Sequence, residues 1–286
     1  MPRKERISRP GRRRWSTLWV NLVGGILVVT FLFPIYWTFL TSLRSESEIL
    51  KWPPDLLPVN LTLSNYGEIM QRSDTPVLRW FWNSSIAALS YATLSLFVCV
   101  PAAYALSRLQ FKFRDLYFKV LLASLTIPGM ILFLPNYTTV DALGWTDSLV
   151  AIILPGLGAT IGVFLLRQFF IGIPREMEEA ALMDGAGVFQ RIFRIIIPMS
   201  REAIITLWIM NFMANWNDYL WPLVTLYSPD KRTLPVGMST LQGAYVHYYG
   251  VIMAGAVLIA LPSIVIFLLV QRYYVKGISI GGGLKE

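Results

Sequence analysis

Long stretches without a charged residue constrain the fold of this chain more than any other feature. Two of them run from Trp15 to Leu43 and from Trp80 to Ser107. Each is longer than the about 20 residues that a helix needs to cross the hydrocarbon core of a bilayer. Charged residues make up 15% of the chain, against about 25% in soluble domains. The sequence therefore predicts an integral membrane protein.

Further apolar stretches raise the predicted number of membrane-spanning helices to six. The two stretches above are spans 1 and 2. Span 5 is apolar for a shorter distance but continues past Asp218, and span 6 is densely apolar only from about Val251. The predicted fold class is an all-α, polytopic membrane protein with both termini on the same side. Spans 3 to 6 are predicted at Val120–Val140, Ser148–Leu166, Ala203–Leu226 and Thr233–Gln271.

The distribution of basic residues predicts the orientation. Most Lys and Arg residues fall on the side of the termini, and such residues are enriched on the cytoplasmic side of membrane proteins. Both termini are therefore expected in the cytoplasm, and the formal net charge of +8 needs no nucleic acid partner. We expect a basic cytoplasmic arm over 1–14, a membrane domain over 15–275 and a cytoplasmic tail over 276–286. The opposite side carries Arg44, Lys51, Arg72, Arg79, Lys231 and Arg232.

The chain offers few groups for catalysis. It contains one cysteine, Cys99, and one histidine, His247, so a Cys/His zinc site and a disulfide within the chain are excluded. No GxxxxGK[ST] motif occurs, so a nucleotide-binding loop of the P-loop type is also excluded. We expect a non-enzymatic protein that binds no metal and no cofactor of its own.

The loop between spans 4 and 5, Ile173–Pro198, is here called the corner segment. Pro174 suits the first position of a helix, and the glutamates that follow it suit the positive end of the helix dipole. Asp184-Gly185 indicates a stop, because glycine readily adopts the left-handed conformation that ends many helices. A second short helix is expected from about Val188, and Pro198 is expected to close it.

Two interpretations of the corner segment remain open from its composition. Two short helices cannot bury a core of their own, so the apolar face must rest on the membrane helices or on a partner. The segment is either an amphipathic hairpin lying on lipid or a docking element. In the second case, the small residues Ala180 and Ala181 would let another protein approach closely.

A specific spacing in the corner segment resembles a known motif. The pattern EAA-x3-G-x9-I-x-L-P of ABC importer permeases is matched with a single aliphatic exchange, Ile197 for leucine. The resemblance implies a coupling surface for an ATPase subunit. Its residues are Glu179, Ala180, Ala181, Asp184, Gly185, Ile195 and Pro198.

Other stretches are similar to the carbohydrate-uptake branch of these permeases. They include Ala102–Arg108, Ile127–Met130, Trp216–Leu223 and Gly281–Lys285. The resemblance implies a permease subunit of an ATP-driven sugar importer in a bacterial or archaeal inner membrane. Its implied partners are a second homologous permease, two copies of a cytoplasmic subunit that binds ATP and Mg²⁺, an extracytoplasmic solute-binding protein and the lipid bilayer.

Polar residues in the spans are candidates for a solute pathway. Polar groups inside membranes are costly and often functional, but asparagines also form hydrogen bonds between helices, and aromatic neighbours of Asp218 suit the membrane interface. Both interpretations remain open. The candidate pathway residues are Asn83, Asn211, Asn215, Asn217 and Asp218.

The last outer loop is similar to a loop that contacts the binding protein in the maltose transporter. The residues assigned to this contact are Gln242, Gly243 and Tyr245.

Two alternatives to sugar import stay open. One is a self-sufficient secondary transporter or channel for a small polar solute, and the other, within the ABC class, is an importer of a glycerol-phosphate type of substrate.

Overall fold

A computed structural model describes the backbone of residues 10–71, 75–244 and 248–282, and the side chains of 19–71, 75–241 and 248–269. In this part of the chain every regular element is helical, which confirms the all-α class. The helices are α1 Pro10–Ser42, α2 Glu46–Ile49, α3 Ser64–Gln71, α4 Val77–Arg108, α5 Arg114–Ser124, α6 Phe133–Ala142, α7 Val150–Ile153, α8 Thr160–Ile171, α9 Arg175–Met183, α10 Val188–Arg191, α11 Ile197–Met199, α12 Arg201–Trp216, α13 Leu220–Thr225, α14 Leu234–Ala244 and α15 Tyr249–Gly282.

Three continuous helices in the described residues are long and apolar enough to cross a bilayer. They are α1 from Trp19, α4 and the Tyr249–Leu269 part of α15. A fourth span arises if α5 and the Gly129–Ala142 helix, which meet at a bend of 91°, cross together. The assignment as a membrane protein is thus supported, and the total of six membrane-spanning helices stays a prediction. Helix α15 also continues through Gly282, into the segment expected as a tail.

Predicted spans 3, 4 and 5 are interrupted helices rather than continuous ones. Span 4 consists of α7 and α8 with residues 154–159 between them, and span 5 consists of α12 and α13 with a short break around Asp218. Pro155 and Gly156 explain the first break, because proline lacks an N–H and Gly156 has a φ of +85°. Hydropathy alone does not show such breaks.

The described chain forms two compact units. The first comprises the described residues within 1–69 and 245–257. Within it the Asn65 amide donates to the carbonyl oxygens of Ser42 and Arg44 at 2.9 and 2.8 Å. The Glu46 carboxylate accepts the N–H groups of Tyr249 and Gly250, which suits the positive end of α15.

The second unit, formed by the described residues within 70–244 and 258–286, has a core built around α4. Buried side chains of α4, α8 and α12 pack together, and Ile192 and Ile196 of the corner segment join them. A Cβ at Gly162 would lie 3.0 Å from Cys99 Sγ and 3.2 Å from Leu207 Cδ1. A larger side chain at Gly162 would therefore push α4 and α12 away from α8.

A polar cluster fixes the loops at the α13 end of this unit. The Asp147 carboxylate accepts hydrogen bonds from the Ser228 N–H at 3.0 Å and the Ser228 hydroxyl at 2.5 Å, and it pairs with Lys231 Nζ at 3.1 Å. Burial by itself would raise the pKa of Asp147, but these contacts outweigh it and hold the pKa below its ordinary value. The Asp147 N–H also donates to Thr225 O at 2.7 Å.

Replacing Gly237 by alanine is expected to destabilise the protein by about 1–3 kcal/mol, the usual cost of overpacking. A Cβ there would lie 2.2 Å from the ring of Trp80. That ring cannot retreat easily, since it is 1% exposed and donates to Pro229 O at 2.6 Å. Thermal unfolding in detergent measures the effect. Gly129→Ala is the control, because nothing lies within 4 Å of its added Cβ, and equal melting temperatures for both variants would contradict the prediction.

Candidate functional site

The corner segment turns at Gly185, as predicted. Helix α9 ends at Met183, and Gly185 has a φ of +80°. The Ala186 N–H donates to Ala181 O at 2.9 Å, and the Gly185 N–H donates to Leu182 O at 3.0 Å. This pair of bonds is the Schellman motif, which satisfies the last carbonyl groups of a helix and requires a left-handed residue at the position of Gly185.

The residues predicted for docking lie mostly on the exposed face of this turn. Glu179, Ala180, Asp184 and Gly185 are exposed, and Ala181 is half-buried. Beyond the turn, Ile195 is half-buried and Pro198 is exposed. The predicted residues from Glu179 to Gly185 therefore form one surface around the turn. Ile195 and Pro198 lie nearer to α12.

The second part of the corner segment is anchored in the core. Helix α10 starts at Val188 as predicted, and Ile192–Ile196 continue it as a π-helical turn. Such turns often occur at functional sites. Ile192 and Ile196 are 5% and 0% exposed. Pro198 does not itself end the helix, because the interruption falls at Ser200, whose φ and ψ are −108° and 17°.

A buried ion pair holds the first part of the corner segment, and sequence reasoning missed it. Glu178 precedes the motif glutamate Glu179, and its Oε1 lies 3.1 Å from Arg108 Nε. The exposed fractions of the two side chains are 7% for Glu178 and 5% for Arg108. The Tyr104 hydroxyl donates to the other carboxylate oxygen, Glu178 Oε2, at 2.8 Å. The Arg108 guanidinium also donates to the carbonyl oxygens of Phe170 and of Ile173, the latter at 2.6 Å.

Arg108 thereby connects three elements at one point. It ends α4, binds carbonyl groups at the C-terminal end of α8 and pairs with a glutamate in the first turn of α9. A cation suits a helix C-terminus and an anion suits a helix N-terminus, so both contacts follow the helix dipoles. The signal in the sequence was the motif Ala102–Arg108 itself, which carries one basic residue at the end of a long apolar stretch.

The candidate pathway residues do not form one cluster. Asn83 donates to the carbonyl oxygens of Asp230 and Arg232, both at 3.0 Å. Asn211 is buried and donates to Ser95 Oγ at 2.9 Å. Asn217 donates to Met213 O of its own helix at 2.9 Å.

Asn215 and Asp218 come together at an open cavity of about 290 Å³. Asn215 donates to Ile152 O at 2.8 Å, and Asp218 Oδ1 accepts the Trp221 N–H at 3.4 Å. Both therefore also support the interrupted helices. The polar and aromatic part of the lining also includes Trp221, one of the aromatic neighbours of Asp218 noted in the sequence. Tyr91 and Asn136 complete it, and the sequence did not single them out.

The break in predicted span 4 is stabilised by side chains of other helices. Tyr91 donates to Gly156 O at 3.1 Å, Ser95 to Leu157 O at 3.0 Å and Trp221 to Ala151 O at 2.9 Å. Carbonyl groups freed at a break inside a membrane need such partners. The break is therefore a supported part of the fold, and one side of the cavity is lined by it.

The predicted binding-protein contact falls largely outside the described residues. The backbone of Gln242 and Gly243 belongs to α14, but their side chains and all of Tyr245 lie outside the described part. The contact stays a prediction.

Comparison with known proteins decides the family. The family described as "Binding-protein-dependent transport system inner membrane component" matches residues 95–280. These include the ion pair, the corner segment and, apart from Tyr91, the residues that line the cavity. The chain belongs to this family. The predicted identity as an ABC permease subunit is confirmed, and the permease is a non-catalytic transport subunit rather than an enzyme.

Curated relatives extend over nearly the whole permease. It is 33% identical over 259 residues to "Arabinooligosaccharides transport system permease protein AraQ" of Bacillus subtilis (strain 168), covering 90% of this chain and 92% of that protein. It is 34% identical over 258 residues to "Inner membrane ABC transporter permease protein YcjP" of Escherichia coli (strain K12), covering 90% and 92%. The relative "sn-glycerol-3-phosphate transport system permease protein UgpE" of Brucella melitensis biotype 1 (strain ATCC 23456 / CCUG 17765 / NCTC 10094 / 16M) is 31% identical, with 90% and 95% covered.

A solved structure shares the fold of the permease. A chain of a bacterial ABC transporter "involved in the import of the acidic polysaccharide alginate" superposes with a TM-score of 0.82 at 26% identity, covering 96% of this chain and 100% of that chain. A second alginate transporter chain, solved with a pentasaccharide-bound periplasmic protein, has a TM-score of 0.61 at 16% identity, with 94% and 96% covered. At that identity, the second likeness concerns the fold alone.

Proposed function

We propose that this permease forms half of the translocation pathway of an ATP-driven sugar importer. The observation that carries the proposal is the exposed turn around Gly185, which presents the EAA residues on a helix whose opposite face is held by a buried ion pair. A surface of this kind is suited to receive force from another protein. The motor is a pair of cytoplasmic subunits that bind ATP and Mg²⁺ and dock on α9.

The family and the charge pattern support the remaining proposed partners and the proposed topology. A second homologous permease completes the pathway, and an extracytoplasmic binding protein delivers the solute. Six spans, some of them interrupted, place both termini in the cytoplasm of a bacterial or archaeal cell, in agreement with the excess of basic residues on that side. The corner segment then lies at the cytoplasmic surface, and Gln242, Gly243 and Tyr245 lie at the opposite one.

The cavity near Asp218 supports a saccharide as the solute. Its lining combines the aromatic rings of Tyr91 and Trp221 with the polar groups of Asn136, Asn215 and Asp218. Rings and amides of this kind can stack on sugars and form hydrogen bonds with hydroxyl groups. Among the residues that line it, the charged one is a carboxylate, which disfavours the phosphate ester that the name of the Brucella relative specifies. Relatives named for arabinooligosaccharides and alginate agree with a saccharide.

Docking can be tested with Ala180→Arg, which places a long charged side chain on the exposed face of α9. The permease is co-expressed with the second permease and the ATPase subunit of its own transport system, and it is purified from membranes. We expect normal accumulation of the permease in the membrane and at least about a ten-fold loss of co-purifying ATPase, as for a central interface residue.

The control for this experiment is Gln110→Arg, which adds the same side chain to an exposed position after α4. It should retain the ATPase. If no ATPase co-purifies with the wild-type permease, the proposed function itself is wrong. If the ATPase is retained by Ala180→Arg as well, α9 is not the docking surface.

A further inference from the structure

Two adjacent glutamates of α9 have opposite environments. Glu179, the first residue of the EAA motif, is exposed, whereas Glu178 is buried. Consecutive residues of a helix are rotated by about 100°, so α9 presents one acidic side chain outward and directs the other into the protein. The outward one suits a partner, and the inward one needs another explanation.

The side-chain hydrogen bond and the ion pair of Glu178 both lead to α4. Tyr104 and Arg108 are one helical turn apart on α4, and both reach the same carboxylate, at 2.8 Å from the Tyr104 hydroxyl and 3.1 Å from Arg108 Nε. The Arg108 Nε–H is close enough for an ion pair but is not aligned for a hydrogen bond with Glu178 Oε1. The aligned hydrogen bond is therefore the one from Tyr104, and the guanidinium supplies the charge.

The geometry indicates which helix moves with α9. The covalent link between α8 and α9 is the short stretch from Gly172 to Pro174, and Arg108 binds carbonyl groups on both sides of its start, at Phe170 and Ile173. Helix α4 has 32 residues, about 48 Å at 1.5 Å per residue, and it packs against both α8 and α12. A displacement of α9 can therefore be transmitted directly to α4 through Glu178.

We infer that Glu178 is a positioning residue of the transport cycle: its buried contacts with Tyr104 and Arg108 make α9 and α4 move as one body, so that force applied at the exposed face of α9 reaches the membrane helices. This inference rests on the proposed function. Glu179 and Ala180 bind the motor, whereas Glu178 passes the movement on. Removing the contacts of Glu178 should therefore leave the ATPase bound to α9 but weaken the coupling between the ATPase and the membrane helices.

The test uses Glu178→Gln and Tyr104→Phe in the complete transporter, reconstituted in lipid nanodiscs with its own ATPase and binding protein. Both variants should retain the ATPase subunits. We expect the stimulation of ATP hydrolysis by the binding protein to fall about ten-fold, within the about 5- to 150-fold range of typical allosteric coupling. Asp115→Asn is the control, because it breaks the ion pair between Asp115 and Arg114, in which the Asp115 side chain is exposed.

A distance measurement separates transmission from a merely structural role. Spin labels are attached at Met177→Cys on α9 and Phe97→Cys on α4, both exposed, in a background where Cys99 is replaced by serine. Double electron–electron resonance compares the nucleotide-free state with the state trapped by MgATP and vanadate. We expect an unchanged distance in the otherwise wild-type protein and a shifted or broadened one in Glu178→Gln.

The outcomes distinguish this inference from the proposed function. Normal stimulation and an unchanged label distance in both variants would overturn the inference while leaving docking intact. Equal loss of bound ATPase and of stimulation would also overturn it, because Glu178 would then only shape the docking surface. If Glu178→Gln does not accumulate, Tyr104→Phe decides, since it removes a single hydroxyl group. If the wild-type complex lacks the ATPase, the proposed function fails first.

Discussion

Valine in place of Gly185 is expected to abolish coupling between ATP hydrolysis and transport while leaving the permease in the membrane. Gly185 has a φ of +80°, a conformation that is a true outlier for β-branched residues. The cost of holding it is about 1–3 kcal/mol. The Schellman bonds of Gly185 and Ala186 should therefore break, and α9 should lose its defined C-terminal end. Binding-protein-stimulated ATP hydrolysis, measured beside membrane accumulation, reports the effect.

Two further variants at this position separate backbone strain from surface chemistry. An added Cβ at Gly185 meets nothing within 4 Å, so a steric clash does not contribute. Asparagine tolerates the left-handed region, and Gly185→Asn should retain most of the stimulation. Gly185→Asp has a similar backbone preference but adds a charge to the docking face, and it should lie between the other two. Equal activity of the valine and asparagine variants would show that the left-handed turn is not required.

Replacing Arg108 by alanine is expected to cause the largest loss of stability of any substitution considered. Removing one partner of a buried ion pair typically costs about 3–5 kcal/mol, because the other charge is left buried and unpaired. Here Glu178 would lose its cation, and the carbonyl groups of Phe170 and Ile173 would lose their donor. Glu178→Ala should cost less, since Arg108 keeps both carbonyl acceptors. Thermal unfolding of the purified permease measures the difference.

Combining substitutions at both positions tests the electrostatic origin of that loss. Replacing both partners of a buried pair by apolar residues is often neutral, so Arg108→Met combined with Glu178→Leu should be more stable than Arg108→Ala. By the inference above, the double variant should still couple poorly. A loss for Arg108→Ala no larger than that for Asp115→Ala, at the exposed pair, would contradict the prediction.

Local rules predicted the corner segment well. Gly185 was identified as the turn, since few other residues accept a positive φ, and the start of α10 at Val188 followed from the residues after the turn. The role of Glu178 could not be predicted in the same way. Three glutamates lie in the first turns of α9, and their sequence does not show which one meets Arg108, 70 positions earlier in the chain.

The contacts of the candidate pathway residues could not be predicted from the sequence either. The composition of span 5 indicated Asn211, Asn215 and Asp218 as polar groups inside an apolar helix, with two open interpretations. The structure shows Asn211 and Asn215 bound to Ser95 and to Ile152 O, while Asn215 and Asp218 also line the cavity. Asn136 and Tyr91 were not predicted, because nothing local distinguishes them from other polar residues of the spans.

The amino-acid sequence by itself determined that this protein lies in a membrane, that it is helical and that it turns at Gly185, because hydrophobicity and backbone preference act within a few residues. Only the tertiary structure decided where the predicted spans are interrupted and which charges are buried. An interruption at residues 154–159 is tolerable when distant side chains such as those of Tyr91 and Ser95 bind the freed carbonyl groups. Likewise, a buried glutamate is tolerable only where Arg108 and Tyr104 reach it, and that proximity arises from the packing of α4 against α8.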